Sequence, residues 1–393
     1  MDKVRFGVVG IGNMGSSHCK WLNDGKSVKN GVLTAACDIN PEKIENIKKQ
    51  LTDASAVTFF DDAEKMFGSG LIDVAIIAVP HYDHPGLVIK ALDAGLNVIC
   101  EKPAGVYTKQ VKEMNERAAK SDKIFALMFN QRTRPIFRKM REMVKEGAVG
   151  NIKRLNWIIT DWYRSQSYYD SGNWRATWAG EGGGVLFNQA PHNVDLFQWI
   201  PDMMPSKVRA FCHFGKWHDI EVEDDVTAYF EYPNGATGVF ITTTADAPGS
   251  NRFEIVGDGG GLIFDDDKLV YKKLKQNERE FNRTWTKGFG APEWEKIDVE
   301  VEDDGVEQHV RVINNVADAV LGIAPQFIDG KEGIKGVELA DSMLLSTWLD
   351  KTVDLPFDDD LYFEELKKRI ATSRLKTAKE TVLDTAGSYG EKK

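Results

Sequence analysis

Six residues near the amino terminus restrict the fold more than any other stretch. Gly10-Ile11-Gly12-Asn13-Met14-Gly15 follows directly on the run Val-Arg-Phe-Gly-Val-Val at 4–9, which reads as a buried strand. GxGxxG alone is a weak signal, since any glycine-rich turn can show it. Between a strand and a helix start it becomes specific for a dinucleotide-binding βαβ unit. Gly10 permits the tight turn, Gly12 lets backbone approach a pyrophosphate, and Gly15 lets helix and strand pack closely. The helix start that holds Asn13 and Met14 would offer N–H groups and partial positive charge to the phosphates. The next strand, Val32–Cys37, ends in Asp38, where a carboxylate would hold the adenosine ribose hydroxyls. Neither Ile39 nor Asn40 is basic, so NAD is expected rather than its 2′-phosphate.

The alternation continues. Helices are expected at 41–51, 83–94 and 108–120, and strands at 73–79, 97–100 and 124–129. Strands separated by helices of this length predict a Rossmann-type, doubly wound parallel sheet. Ligands bind at the carboxyl ends of such strands. Val79-Pro80-His81, Glu101-Lys102-Pro103 and Asn130-Gln131-Arg132 all follow strand ends, which makes them candidates for the cofactor rim. His84 fits helix-start packing as well as it fits a cofactor contact.

From about residue 150 the pattern changes. Strand-like segments begin at 151 and recur at 206–214, 225–232, 236–244, 252–257 and 261–264, with turns at Pro233-Asn234-Gly235 and Asp258-Gly259-Gly260. Hairpin-linked strands predict an open, mostly antiparallel sheet. Segments 315–322 and 336–351 read as helices able to pack back onto the first domain. The expected division is 1–130 for NAD binding, 131–356 for substrate binding and oligomerisation, and 357–393 for a helix and charged tail.

Composition narrows the partners. A net charge of −10 with no basic cluster argues against nucleic acid. No apolar run reaches the roughly 18 residues of a membrane helix. The chain opens directly in Met1-Asp2-Lys3-Val4 with no leader pattern, and its four cysteines are scattered, so a reduced cytoplasmic protein is expected. The cluster His213, His218, Asp219, Glu221, Glu223, Asp224 and Asp225 lacks ligand spacing. It reads as a solvated strand edge, and no metal is expected.

The second chemical centre is Gly183-Gly184-Val185-Leu186-Phe187-Asn188-Gln189-Ala190-Pro191-His192-Asn193-Val194-Asp195. Offsets of four and three place Asn188, His192 and Asp195 on one helical face. A lone helical histidine is more often a packing residue, but this one comes with a nucleotide signature and a Glu-Lys-Pro turn. Aromatics crowd 157–178. Most suit a core or interface, while Trp162, Tyr163 and Arg164 are candidates to line a pocket against the flat C–H face of a sugar.

Taken together, Gly10-x-Gly12-x-x-Gly15, Asp38, Glu101-Lys102-Pro103 and Gly183-Gly184-x-x-x-Asn188-x-x-x-His192-x-x-Asp195 resemble the Gfo/Idh/MocA oxidoreductases over residues 4 to about 350. The resemblance implies an NAD(P)-dependent enzyme acting on sugars or polyols, often a tetramer, whose open sheet makes subunit contacts through its outer face. It gives His192 the role of general base and Lys102 that of orienting, electrostatic partner. Asp195 would hold substrate or orient its neighbours, and Trp174-Arg175 would lie near the cofactor. Where the family commonly has Asp, this chain has Asn188, which carries no charge and does not titrate. A proton relay through that position is excluded, and Asn188 is expected to bind a substrate hydroxyl. The Asn-Gln-Ala-Pro-His-Asn-Val-Asp form also looks like a subgroup that oxidises glycosides at C3. Inositol dehydrogenase, redox-assisted glycosidase and non-catalytic NAD sensor are the alternatives.

Overall fold

The computed structural model describes residue 3 to residue 374 and residue 376. Its first layer is a six-stranded, wholly parallel sheet: β1 (Val4–Val9), β2 (Gly31–Cys37), β3 (Thr58–Phe60), β4 (Val74–Ile77), β5 (Asn97–Cys100) and β6 (Phe125–Leu127). The order β3-β2-β1-β4-β5-β6 is that of the doubly wound dinucleotide fold. Val4, Phe6, Val8, Leu33, Val74, Ile76, Val98 and Ile99 are fully buried, as strands covered on both faces require. β3 and the five-residue helix Ala63–Phe67 were not foreseen, because each is too short to show its period. Helix Pro135–Lys145 was missed as well. Its apolar stripe is Ile136, Phe137 and Met140, set among the charged Arg138, Lys139, Arg141, Glu142 and Lys145.

The second layer is a nine-stranded sheet. Its members are β7 (Ile152–Ile159), β8 (Lys207–Phe214), β9 (Glu223–Glu231), β10 (Thr237–Thr243), β11 (Asn251–Gly257), β12 (Gly260–Asp265), β13 (Lys268–Leu274), β14 (Trp294–Val299) and β15 (Val353–Asp354). They run β14-β13-β12-β11-β7-β10-β9-β8-β15, antiparallel except where β7 meets β10. The inner face carries Trp157, Phe240, Phe253, Ala228 and Phe230, all buried. Trp157 stacks on Phe253 with ring centroids 4.3 Å apart, and Phe197 of the helix Pro191–Trp199 packs against Phe230, Phe240 and Phe253. The opposite face presents the cross-strand row Ile158, Ile241, Thr227 and Phe211, with Tyr229 one pleat away. Ile158, Phe211 and Tyr229 are exposed there.

The chain then returns to the first layer. Helix Gln308–Val320 sets Val312, Ile313, Val316 and Ala317 into the Rossmann core. Helix Gly333–Trp348 does so through Val337 and the partly buried Ile334. Its Leu339, Ala340, Met343, Leu344 and Leu345 belong to the second core, because its long apolar face spans both layers. The helix expected beyond residue 357 is Asp359–Ile370; the charged tail at 377–393 lies outside the described residues. Among the described residues no helix is long and apolar enough to cross a membrane.

The acidic cluster is not a solvated edge. Glu223 and Asp224 are fully buried. Glu223 accepts the N–H groups of Gly184 (2.8 Å) and Leu186 (3.0 Å), and Asp224 accepts those of Lys216, Trp217 and His218. Acidic residues at a strand edge read as solvated, but these two carboxylates satisfy turn backbones that only the fold brings to them.

Candidate active site

The nucleotide loop has the geometry its glycines require. Gly10 has φ +88°, and a Cβ there would lie 2.4 Å from the Ala78 carbonyl oxygen; a Cβ on Gly15 would lie 1.7 Å from that of Gly10. At Gly12 a Cβ would meet nothing within 4 Å, so the loop opens outward there. Helix Asn13–Asn23 begins with Asn13 and the half-buried Met14, without a side-chain cap and without an acidic residue in its first turn. Its N–H groups and positive dipole end are left for an anion, which fits a pyrophosphate. Asp38 is anchored by Ile11 N–H (2.7 Å) and Asn40 N–H (2.8 Å), next to Ile39, which is 89% exposed.

The strand-end loops after β4, β5 and β6 meet the turn at 181–195. Past the end of β4, Val79 is half-buried and Pro80 exposed. His81 is buried with Nδ1 3.3 Å from the Glu181 carbonyl and its ring edge-on to Trp174, on which Arg175 stacks. Burial, then His84 and Lys102, hold the His81 imidazole well below its usual pKa. His84 faces main-chain carbonyls with both ring nitrogens, Pro103 at 2.7 Å and Val79 at 2.8 Å. It ties two loops together and has no ring nitrogen left for a cofactor, so the packing role is the one it has. Asn130 turns Nδ2 toward Gln308 and His309, while its Oδ1 has no protein partner.

Lys102 Nζ donates to the Asn188 carbonyl at 2.9 Å. Burial lowers its pKa, with Arg164 and Arg175 acting in the same direction and Glu101 and Glu181 opposing. Burial would raise the Glu101 carboxyl, but His18 at 2.7 Å outweighs it and, with His309 and Lys102, takes it down to about 2. His192 lies in the second turn-facing position of its helix, edge-on to Phe129. Its Nδ1 is buried without a protein partner. Burial, then Lys102 and His309, hold His192 well below its usual pKa, so the ring is a neutral imidazole at neutral pH.

Asn188 and Asp195 differ from expectation. Helix Pro191–Trp199 starts after Asn188, so only His192 and Asp195 share a helical face, and Pro191 accounts for the boundary. Asn188 Nδ2 donates to Glu181 and its Oδ1 accepts from Tyr168 at 3.2 Å. Asp195 does not face the site. Both its oxygens accept from Arg132 at 2.7 Å, each residue is 1% exposed, and Gln198 adds a third bond. Of the two roles expected for Asp195, orientation is the one its surroundings allow.

Trp162 is half-buried with Nε1 bonded to Asn193, Tyr163 is 52% exposed, and the Arg164 guanidinium lies over the Trp162 and Tyr168 rings. Trp157, Tyr169 and Trp178 are core residues. The sequence reading missed Glu181, His18 and the site role of Tyr168, and it placed Arg132 on the cofactor rim where the side chain instead clamps Asp195. A charged residue abutting Gly182-Gly183-Gly184 was the one visible signal for Glu181. Among the described residues no three His, Cys, Asp or Glu side chains are grouped to hold a metal ion.

Comparison with known proteins agrees with this geometry. Residues 4–129 match the oxidoreductase family with the NAD-binding Rossmann fold, and residues 137–263 match the GFO/IDH/MocA C-terminal domain. Levoglucosan dehydrogenase of Pseudarthrobacter phenanthrenivorans is 23% identical over 325 residues, covering 73% of this chain and 81% of that one. Myo-inositol 2-dehydrogenase of Thermotoga maritima is 25% identical over 269 residues, covering 67% and 75%. An oxidoreductase of Bacillus subtilis is matched at 28% identity over only 46% of its length. The WlbA dehydrogenase from Chromobacterium violaceum, solved with NADH and UDP-GlcNAcA, superposes with a TM-score of 0.75 at 26% identity, covering 91% of this chain and 97% of that one. With a parallel NAD-binding sheet, an open antiparallel sheet and both family signatures in one chain, this protein belongs to the Gfo/Idh/MocA family of NAD-binding oxidoreductases.

Proposed function

We propose that the protein oxidises a secondary hydroxyl of a sugar or glycoside, best read as C3 of a pyranoside to give a 3-keto sugar. The observation that carries the reading is the pairing of a half-buried lysine and a neutral, partnerless histidine nitrogen at the carboxyl ends of the NAD-binding strands. Bound NAD supplies the acceptor for the hydride that leaves the carbinol carbon. His192 takes the hydroxyl proton, which requires the neutral imidazole its burial favours. Lys102 donates to the same oxygen and stabilises charge developing there. Trp162 and Tyr163 offer ring faces to the sugar, and Asn188 keeps one amide hydrogen and one lone pair for a hydroxyl.

A polyol substrate is the second reading, favoured by the likeness to myo-inositol 2-dehydrogenase. A homo-oligomer is supported by the apolar row Ile158, Ile241 and Phe211 on the outer sheet face.

The test mixes the pure protein with NAD and a panel of glycosides, free sugars and inositols, following NADH absorbance and product mass. NADH with a glycoside product two mass units lighter supports the reading, with the carbonyl placed by NMR. The same outcome only on an inositol selects the polyol. Aglycone release without NADH points to a redox-assisted glycosidase, and silence despite tight NAD binding to a sensor. Lys102→Ala and His192→Ala should each cut turnover by about 10²–10⁴ while NAD affinity stays within a few-fold. Near-normal turnover in either variant would overturn the roles.

A further inference from the structure

Glu181 is a charged residue that the proposed chemistry does not use. It is 1% exposed, it precedes the glycine run, and it sits among the groups that do the work. One carboxylate oxygen accepts Ala176 N–H at 2.5 Å and the other accepts Asn188 Nδ2. The carbonyl of the same Asn188 accepts Lys102 Nζ. On the far side, Asn188 Oδ1 accepts from the Tyr168 hydroxyl, which itself accepts from Arg175 at 3.0 Å. Asn188 therefore joins a buried carboxylate, a half-buried ammonium and an arginine-polarised phenol through one residue.

We infer that Glu181 and Asn188 act as a unit that supplies a single negative charge to offset the Lys102 ammonium. Glu181 is a positioning residue acting through Asn188. The inference rests on the assignment of Lys102 given under the proposed function. The other negative group beside Lys102, Glu101, is already committed to His18. Arg164 and Arg175 oppose a protonated lysine, and His81, His84 and His192 add repulsion whenever they are charged. Without Glu181 that balance turns against the ammonium.

The unit also explains why an amide occupies position 188. A carboxylate there would face Glu181 acceptor to acceptor, and two such groups at hydrogen-bond distance share a proton rather than both ionising. An amide donates the bond and leaves the charge on Glu181. The charge could equally sit on 188 if 181 were the amide. Glu181→Gln thus removes the charge, Asn188→Asp adds a competing one, and the double exchange keeps both the bond and one charge.

The experiment follows Lys102 directly and needs no substrate. The full-length protein is pulse-labelled with acetic anhydride across a pH series, and acetylation of the Lys102 peptide is read by mass spectrometry for the wild type, Glu181→Gln, Asn188→Asp and the double exchange. Only the neutral amine reacts, so Glu181→Gln should move the Lys102 midpoint down by about one pH unit, roughly tenfold more labelling at a fixed pH below it. The double exchange should bring the midpoint back to the wild-type value. An unmoved midpoint in a folded Glu181→Gln protein, or a double exchange no closer to wild type than the single variant, overturns the inference. If Glu181→Gln does not fold, the double exchange decides: a folded protein with the wild-type midpoint supports the unit, and any other result overturns it. Turnover on the substrate panel is scored separately. A silent panel with the expected labelling shifts would remove the proposed reaction and leave the charge unit standing.

Discussion

The nucleotide loop at 10–15 and the candidate site turn at 181–195 both run through closely spaced glycines, yet they are specified differently. In the loop, the constraints are local: Gly15 meets Gly10 five residues away, and Asp38 is one strand on. In the turn, beside the local bond from Asn188 to Glu181, the anchoring contacts come from far along the chain. Lys102 reaches Asn188, Glu223 anchors Gly184 and Leu186, and Arg132 grips Asp195 while its third nitrogen bonds Glu332. A phosphate cradle needs only backbone N–H groups in a fixed turn, which six residues can encode. A base and an ammonium with tuned charges need burial and partners that no contiguous stretch supplies.

Three experiments press on that contrast. The largest effect is expected from Arg132→Ala, which leaves Asp195 buried and unpaired and should cost about 3–5 kcal/mol in urea unfolding. A cost under about 1 kcal/mol would mean the turn is not held by its remote clamp. Asp38→Ala comes next. Loss of charge-assisted bonds worth about 1.5–3 kcal/mol should weaken NAD binding about 10–100-fold, leaving turnover at saturating NAD intact. Equal damage to NAD affinity and turnover would show that the two regions are not separable. The smallest effect is in the pH profile. His192 must be neutral to accept a proton, and its pKa is held below the usual 6.5, so activity should fall only as pH drops through a value under 6.5. Lys102 must be charged, and its pKa is lowered from 10.5, so activity should fall as pH rises through a value under 10.5. Asp38→Ala should leave both limbs of kcat/KM in place; an acid limb at 6.5 or above would contradict the buried, neutral histidine.

The same contrast governs what could be read in advance. Five of the six strands of the parallel sheet were visible because they are continuous apolar runs and the first loop carries a motif whose context can be checked along the chain. β13 and β14 were not foreseen: β14 is an edge strand with almost every residue exposed, and in β13 the charged Lys272 and Lys273 interrupt the short alternation of the buried Leu269 and Tyr271. His192 and Lys102 were legible as candidates by motif, but their protonation behaviour depends on burial and on each other. Glu181 showed only as a charge beside a glycine run, and Asp195 was read as facing the site, because each is defined by a partner: Asn188 and Ala176 for one, Arg132 for the other.

The sequence by itself determined the cofactor class, the order of the two sheets and the residue types available for chemistry, because turns and strand periods are encoded within a few residues. Only the tertiary structure decided which carboxylates face the site and which clamp it. It also decided that a histidine 90 residues past the lysine shares its field, because Coulomb and desolvation effects follow distance in space rather than along the chain.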